Sequence, residues 1–299
     1  MLLSSEVPSI DPEQEAQYNL RARHPEREDI YHSYAHRSAR TRRRREARLD
    51  LRFGPKPSSV LDLFIPERTP SPPLLVFIHG GYWRALDKHG FSFIADAYLD
   101  RGVAVAMPNY TLAPRASVAE IVQEVCEAVS WLTARGPELG YDASRIVVSG
   151  HSAGGHMAAR VICRDQMPGL SGRVRGYVGL SGLFDLAPLL RTSINRDLRM
   201  TESEARALGL YGGAALYRVP MLFAAGALET DGFRGQSLDF SQFCARQGHQ
   251  VESLIVPRRN HFDLLNDFSS AEHALFNKTL DMLLPGSRPG PATHQETPQ

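Results

Sequence analysis

Six short apolar runs, at residues 74–78, 103–107, 146–149, 174–180, 221–225 and 251–256, alternate with stretches whose composition suits helices. The runs are too short for helices, and most are continuously apolar rather than alternating, the pattern of strands buried on both faces. Such alternation argues for an α/β fold with a mostly parallel sheet flanked by helices on both faces, linked by right-handed crossovers. Helices are expected at 118–134 and 153–163. An antiparallel pair is expected ahead of them at 47–53 and 59–65, around the turn Gly54-Pro55-Lys56-Pro57, with 66–73 as a linker. In this topology the carboxyl ends of the strands share one edge, so polar residues just after the runs are the first place to look for chemistry.

The run at 146–149 leads into Gly150-His151-Ser152-Ala153-Gly154, a G-x-S-x-G match at a strand-to-helix turn. A sharp turn there would lift Ser152 clear of the backbone and aim the following helix's first amides at negative charge developing on a substrate. The run at 74–78 leads into His79-Gly80-Gly81-Tyr82-Trp83-Arg84, where glycines let backbone amides face a ligand. The amides of Gly80, Gly81 or Tyr82, with that of Ala153, are the expected oxyanion hole. Tyr82, Trp83 and His156 are candidate substrate-contacting side chains, Trp83 being equally suited to the core.

A reactive serine needs a base and an acid, expected in the order serine, acid, histidine. His261 follows the run at 251–256 and the turn Pro257-Arg258-Arg259-Asn260, which singles it out among the eleven histidines. The loop after 221–225 offers two carboxylates, Glu229 and Asp231. Glu229 is preferred as the acid that orients His261, and Asp231 is the alternative, although it would also serve as the N-cap of a helix running to Gln247.

With these residues in place the chain resembles the kynurenine formamidase (arylformamidase) branch of the α/β-hydrolase superfamily, near the hormone-sensitive-lipase-like esterases. The resemblance rests on HGGYWR, GHSAGGH and GALETDGFRGQS and extends from about Tyr18 to Leu284. It implies Ser152 as nucleophile, His261 as base, and an acid at Glu229, counting back from Phe233 and Gln236-Ser237; in the family that acid is usually aspartate. It implies a cofactor-independent serine hydrolase acting on a small amide or ester, with N-formylkynurenine-like formamides first. Short-chain carboxylesterase or acylamidase activity is the alternative, since the motifs are shared across these chemistries. It also implies pairing of two copies. A non-catalytic binding protein on the same fold is the reading of another class, disfavoured because all three catalytic roles have a candidate.

Composition narrows the rest. At 299 residues and 42% hydrophobic, one large core is expected. The organisation expected is a polar helical arm at 1–45, a hydrolase domain at 46–284 with a helical insertion at 186–217 that either caps and shapes the pocket or is a purely structural surface element, and a disordered tail at 285–299. A net charge of +1 gives no reason to expect nucleic acid. The basic stretch 38–48, with Arg40, Arg42, Arg43, Arg44, Arg45 and Arg48, fits a helix lying over the core with its guanidinium groups in water. Cys126, Cys163 and Cys244 lack metal-ligand spacing and read as buried free thiols of a cytoplasmic protein. No metal is expected, no run approaches membrane-spanning length, and residues 1–10 do not read as a secretory signal.

Overall fold

The computed structural model describes residues 9–212 and 214–286; most of the tail expected at 285–299 and most of the segment 1–10 lie outside them. The chain opens with α1 (Pro12–Tyr18) and α2 (Arg27–Arg44), followed by the hairpin β1 (Ala47–Arg52) and β2 (Val60–Phe64). Then come β3 (Leu74–Ile78), α3 (Ala95–Leu99), β4 (Ala104–Pro108), α4 (Val118–Leu139), β5 (Ile146–His151), α5 (Ala153–Val161) and β6 (Val174–Leu180). The short α6 (Asn195–Leu198) and α7 (Glu202–Leu208) precede β7 (Met221–Gly226), α8 (Asp231–Arg246), β8 (Val251–Val256), α9 (Leu265–Phe268) and α10 (Ala274–Leu283).

The eight strands form one sheet in the order β1-β2-β4-β3-β5-β6-β7-β8. β2 pairs antiparallel with β1 and β4, and every pairing from β4 to β8 is parallel. The two-residue period of a strand splits the core into two layers. Leu74, Val76 and Ile78 join Met157, Phe233 and Phe240 of α5 and α8 on one face, while Leu75 and Phe77 join Tyr34, Tyr98 and Phe276 of α2, α3 and α10 on the other. Continuously apolar strands are therefore explained by helices on both sides.

Local signals set the helix ends. Ser117 and Glu120 form a capping box at the start of α4, and Gly140 closes that helix at φ 90°. Thr201 and Glu204 make a second box on α7. At α8 the cap is Thr230, whose side chain accepts from the Phe233 amide; Asp231 is the first helical residue, not the cap expected. The basic stretch is helical only to Arg44, and two of its guanidinium groups are not simply in water. Arg42 donates to Ser92 Oγ at 2.8 Å, and Arg45 pairs with Asp96 at 2.7 Å and Asp100 at 2.8 Å, fastening α2 to α3 and the turn before it. Cys126, Cys163 and Cys244 are buried and unpaired, and no helix of the described residues is long and apolar enough to cross a membrane.

The topology locates the site. The connection after β3 leads to β4 on one side, and that after β5 leads to β6 on the other, so the loops leaving these adjacent strands diverge and open a crevice at their carboxyl ends.

Candidate active site

Ser152 sits in that crevice between β5 and α5, with φ 57° and ψ −122°. This backbone is costly for a residue with a Cβ, and the turn is held by Ser152 N donating to Leu180 O and by Ser152 O accepting from Gly155 N. The turn tolerates nothing larger than glycine at 154, where a Cβ would fall 2.0 Å from Ile78 O. The neighbouring loop is folded tightly as well. Gly81 has φ 108° and lies where a Cβ would meet Ala85 O at 2.2 Å, and Tyr82 and Trp83 follow at φ 51° and 55°. The amides of Gly81, Tyr82 and Ala153 find no acceptor among the described residues.

His261 and Glu229 meet beside this turn. His261 Nδ1 lies 2.8 Å from Glu229 Oε2. The other carboxylate oxygen accepts from Ser181 Oγ and from the Gly226 amide, both at 2.6 Å, so the buried anion is fully hydrogen-bonded. A carboxylate on Nδ1 fixes the imidazole tautomer and leaves Nε2 for proton transfer. The His261 ring is wedged by Phe233 at 4.3 Å and His151 at 4.6 Å between ring centroids. Burial, and secondarily the nearby His261, holds His151 well below the usual histidine range. It is therefore neutral, and its Nε2 donates to His261 O at 2.8 Å. Asp231 points away, its side chain 85% exposed and paired with Arg234.

Ser152, His151, His261, Gly81 and Tyr82 line a cavity of about 300 Å³. Its remaining wall does not come from the insertion that was one candidate to shape it. Among the described residues the insertion at 186–217 supplies no lining residue; it forms three short helical pieces that reach the site through Ser193 Oγ accepting from Asn19 at 3.2 Å, Asp197 bonded to Arg84 at 2.6 Å and Leu208 O bonded to His156 Nε2 at 2.9 Å. Much of the wall comes instead from the N-terminal arm, with Leu20, Arg21, Arg27 and Tyr31 among its residues. That segment is tied to the oxyanion-type loop by Tyr82 OH donating to Tyr18 O, and to the acid loop by Thr230 Oγ1 donating to Gln17 O.

Two of the three candidate substrate contacts are core residues. Trp83 is wholly buried and packs edge-on against His156 at 5.3 Å. His156 is wholly buried too, and burial lowers its pKa to about 4. The two pack on each other, and His156 is held by Leu208 O at the end of α7. Tyr82 alone reaches the cavity. Sequence reasoning missed Ser181, which stands one residue past β6 on the same edge and was open to the same positional argument. It also missed the arm, for which no motif exists.

Among the described residues, one further group of potential ligands, Asp50, Asp62 and His89, lies outside this cavity. The Lys88 ammonium stands 2.7 Å from an oxygen of each carboxylate and offsets one of their two charges.

The BD-FAE family profile matches residues 61–186, which include both glycine loops. Kynurenine formamidase of Salmo salar is 27% identical over 248 residues, covering 79% of this chain and 81% of that protein. Its counterpart in Danio rerio is 28% identical over 244 residues, with the same coverage. The crystal structure of a putative thioesterase from Silicibacter sp. superposes with a TM-score of 0.79 at 33% identity, over 89% of this chain and 98% of that one. With shared sequence and shared fold across most of its length, the chain is an α/β-hydrolase similar to the kynurenine formamidases and a hydrolase of the ester- and amide-cleaving kind.

Proposed function

We propose that this chain is a serine hydrolase acting on aryl formamides, with N-formylkynurenine-like compounds as its substrate class. The observation that carries the reading is the buried Glu229 carboxylate on His261 Nδ1, beside the cavity that Ser152 lines. Ser152 Oγ attacks the formyl carbon while His261 Nε2 takes its proton, and the oxyanion forms against the amides of Ala153 and the glycine loop. Collapse breaks the C–N bond, and the proton on His261 passes to the departing aryl amine. Water, deprotonated by His261, then attacks the formyl ester, releasing formate and restoring the Ser152 hydroxyl. Glu229 stays ionised and stabilises the imidazolium in both halves. The relatives named kynurenine formamidase support the formamide as substrate.

A second reading, hydrolysis of short-chain esters or thioesters by the same residues, is favoured by the likeness to the Silicibacter protein, a putative thioesterase. The two separate on acyl length, because a formamidase has room for one hydrogen on the acyl carbon whereas an esterase accepts acetyl to butyryl. Rates on N-formyl-L-kynurenine, 4-nitrophenyl acetate and 4-nitrophenyl butyrate decide between them. Formyl-selective turnover is expected, and Ser152→Ala is expected to fold and lose on the order of 10³-fold or more of it. Ester turnover without formamide cleavage moves the chain to the second reading; an undiminished Ser152→Ala removes both.

A further inference from the structure

Beneath the glycine loop lies a buried hydroxyl with no part in the steps above. Tyr110, 2% exposed, follows β4 and stacks its ring on His79 at 4.3 Å and 15°. Its OH lies 2.9 Å from His79 O and 3.1 Å from Gly80 O. His79 Nδ1 adds a contact of 2.8 Å to the same Gly80 oxygen and lies 3.0 Å from the phenol. Burial keeps the His79 ring neutral, so its one hydrogen goes either from Nδ1 to Gly80 O or from Nε2 to Asn109 Oδ1, 3.2 Å away; the shorter Nδ1 contact takes it, which leaves the Tyr110 proton for the carbonyls. Burial raises the phenol well above its usual range and keeps it a donor.

The consequence follows from peptide geometry. In a trans peptide the C=O and the next residue's N–H point in opposite directions within one plane. Holding His79 O therefore aims the Gly80 amide, and holding Gly80 O aims the Gly81 amide. Both oxygens are drawn into the core toward one hydroxyl, which turns both N–H groups the opposite way, and Gly81 lines the cavity beside Ser152. The loop also needs such a restraint, because Gly81, Tyr82 and Trp83 all hold positive φ.

We propose that Tyr110 is a positioning residue for the reaction: its hydroxyl sets the orientation of the Gly80 and Gly81 amides that receive the oxyanion. This rests on the serine-hydrolase reading. The role is electrostatic preorganisation, so it is felt by the tetrahedral species and not by the ground-state substrate.

Tyr110→Phe keeps the ring stack and removes only the hydroxyl. It is expected to lower kcat about tenfold to a hundredfold, less than the loss on deleting an oxyanion donor outright, with KM within about twofold. Affinity for an aryl trifluoromethyl ketone, whose adduct with the serine places an oxyanion in the hole, is expected to weaken in parallel with kcat/KM. Replacing Tyr110 by 3-fluorotyrosine retains the donor and is expected to retain the rate, which also serves as the readout should Tyr110→Phe fold poorly. Unchanged kcat and unchanged ketone affinity in folded Tyr110→Phe, or a rate collapse with 3-fluorotyrosine in a folded protein, would overturn the role of Tyr110 alone. Full turnover by Ser152→Ala, measured alongside, would overturn the serine-hydrolase reading and this inference with it.

Discussion

At the scale of single residues, the two carboxylates of the acid loop make the sharpest contrast. Glu229 is 2% exposed, with one oxygen on His261 and the other saturated by Ser181 and the Gly226 amide, whereas Asp231 sits at the surface against Arg234. A carboxylate that orients an imidazole must be held still and kept from water, and only Glu229 meets both conditions. Glu229→Gln leaves the shape nearly intact but offers the wrong partner to Nδ1–H, and a loss in kcat on the order of 10³ to 10⁴-fold is expected. Asp231→Asn is expected to stay within about twofold of wild type, the usual range for a surface change of about 0.5 kcal/mol or less. Steady-state rates on one substrate test the pair together; equal losses in the two variants would reopen the choice between the two acids. Position in the loop leaves both carboxylates open, and the count back from Phe233 that the resemblance supplies favours Glu229. The direction of each side chain depends on where α8 begins, and Thr230, by capping it, turns Asp231 outward.

At the scale of elements, α5 carries a titratable group into the core. His156 is wholly buried and bonded to Leu208 O at the end of α7, and its folded pKa is depressed from 6.5 to about 4 chiefly by burial. Below pH 6.5 the unfolded chain binds a proton there that the folded chain refuses, so the stability contributed by this group is fully present above pH 6.5 and is lost as pH falls toward 4. The loss amounts to as much as about 3 kcal/mol over that window, from about 1.4 kcal/mol per pH unit. His156→Gln is expected to flatten the fall of unfolding free energy between pH 6.5 and 4 by up to one proton's worth, measured by urea denaturation across that range. An identical slope in both proteins would mean that His156 titrates normally. The elements themselves were largely legible in the sequence: the runs predicted at 74–78, 174–180 and 251–256 coincide with β3, β6 and β8, since apolar strands bounded by turn residues leave an unambiguous pattern. What the pattern does not encode is whether a polar residue of a helix is packed inward once its neighbours are in place, and so His156 reads as a site residue when it is core, while Trp83, open to either reading, is core as well.

At the scale of the whole molecule, the site is closed by a segment that the chain supplied long before the sheet began. The arm packs across the carboxyl edge, with Tyr34 OH donating to Phe262 O at 2.9 Å and Gln17 Oε1 accepting from the Gly232 amide at 2.8 Å, so it touches the histidine loop and the acid loop at once. Contacts spanning more than 200 residues leave no local signature, which is why the insertion at 186–217, nearer in sequence and helical in composition, was the candidate lid. The arm also sets the charge of the entrance. The molecule as a whole carries only +1, but the cavity rim gathers Arg21, Arg27 and Arg84 against Glu28, with Arg84 partly neutralised by Asp197. Arg27 is committed to Glu28 and to the carbonyls of Arg21 and His24, which leaves Arg21 as the guanidinium most open to a ligand. A substrate bearing a carboxylate on its aryl ring should therefore gain from Arg21 what a neutral one does not. Because the group is exposed, the gain is small: about 0.2 to 1 kcal/mol, or up to about fivefold in kcat/KM. The comparison is 2-formamidobenzoate against formanilide, in wild type and Arg21→Gln, at low and at high salt. The preference for the anionic substrate is expected to shrink in the variant and with added salt in wild type, while formanilide is indifferent to both. A preference that survives both changes would place recognition of the anion deeper in the cavity than the arm.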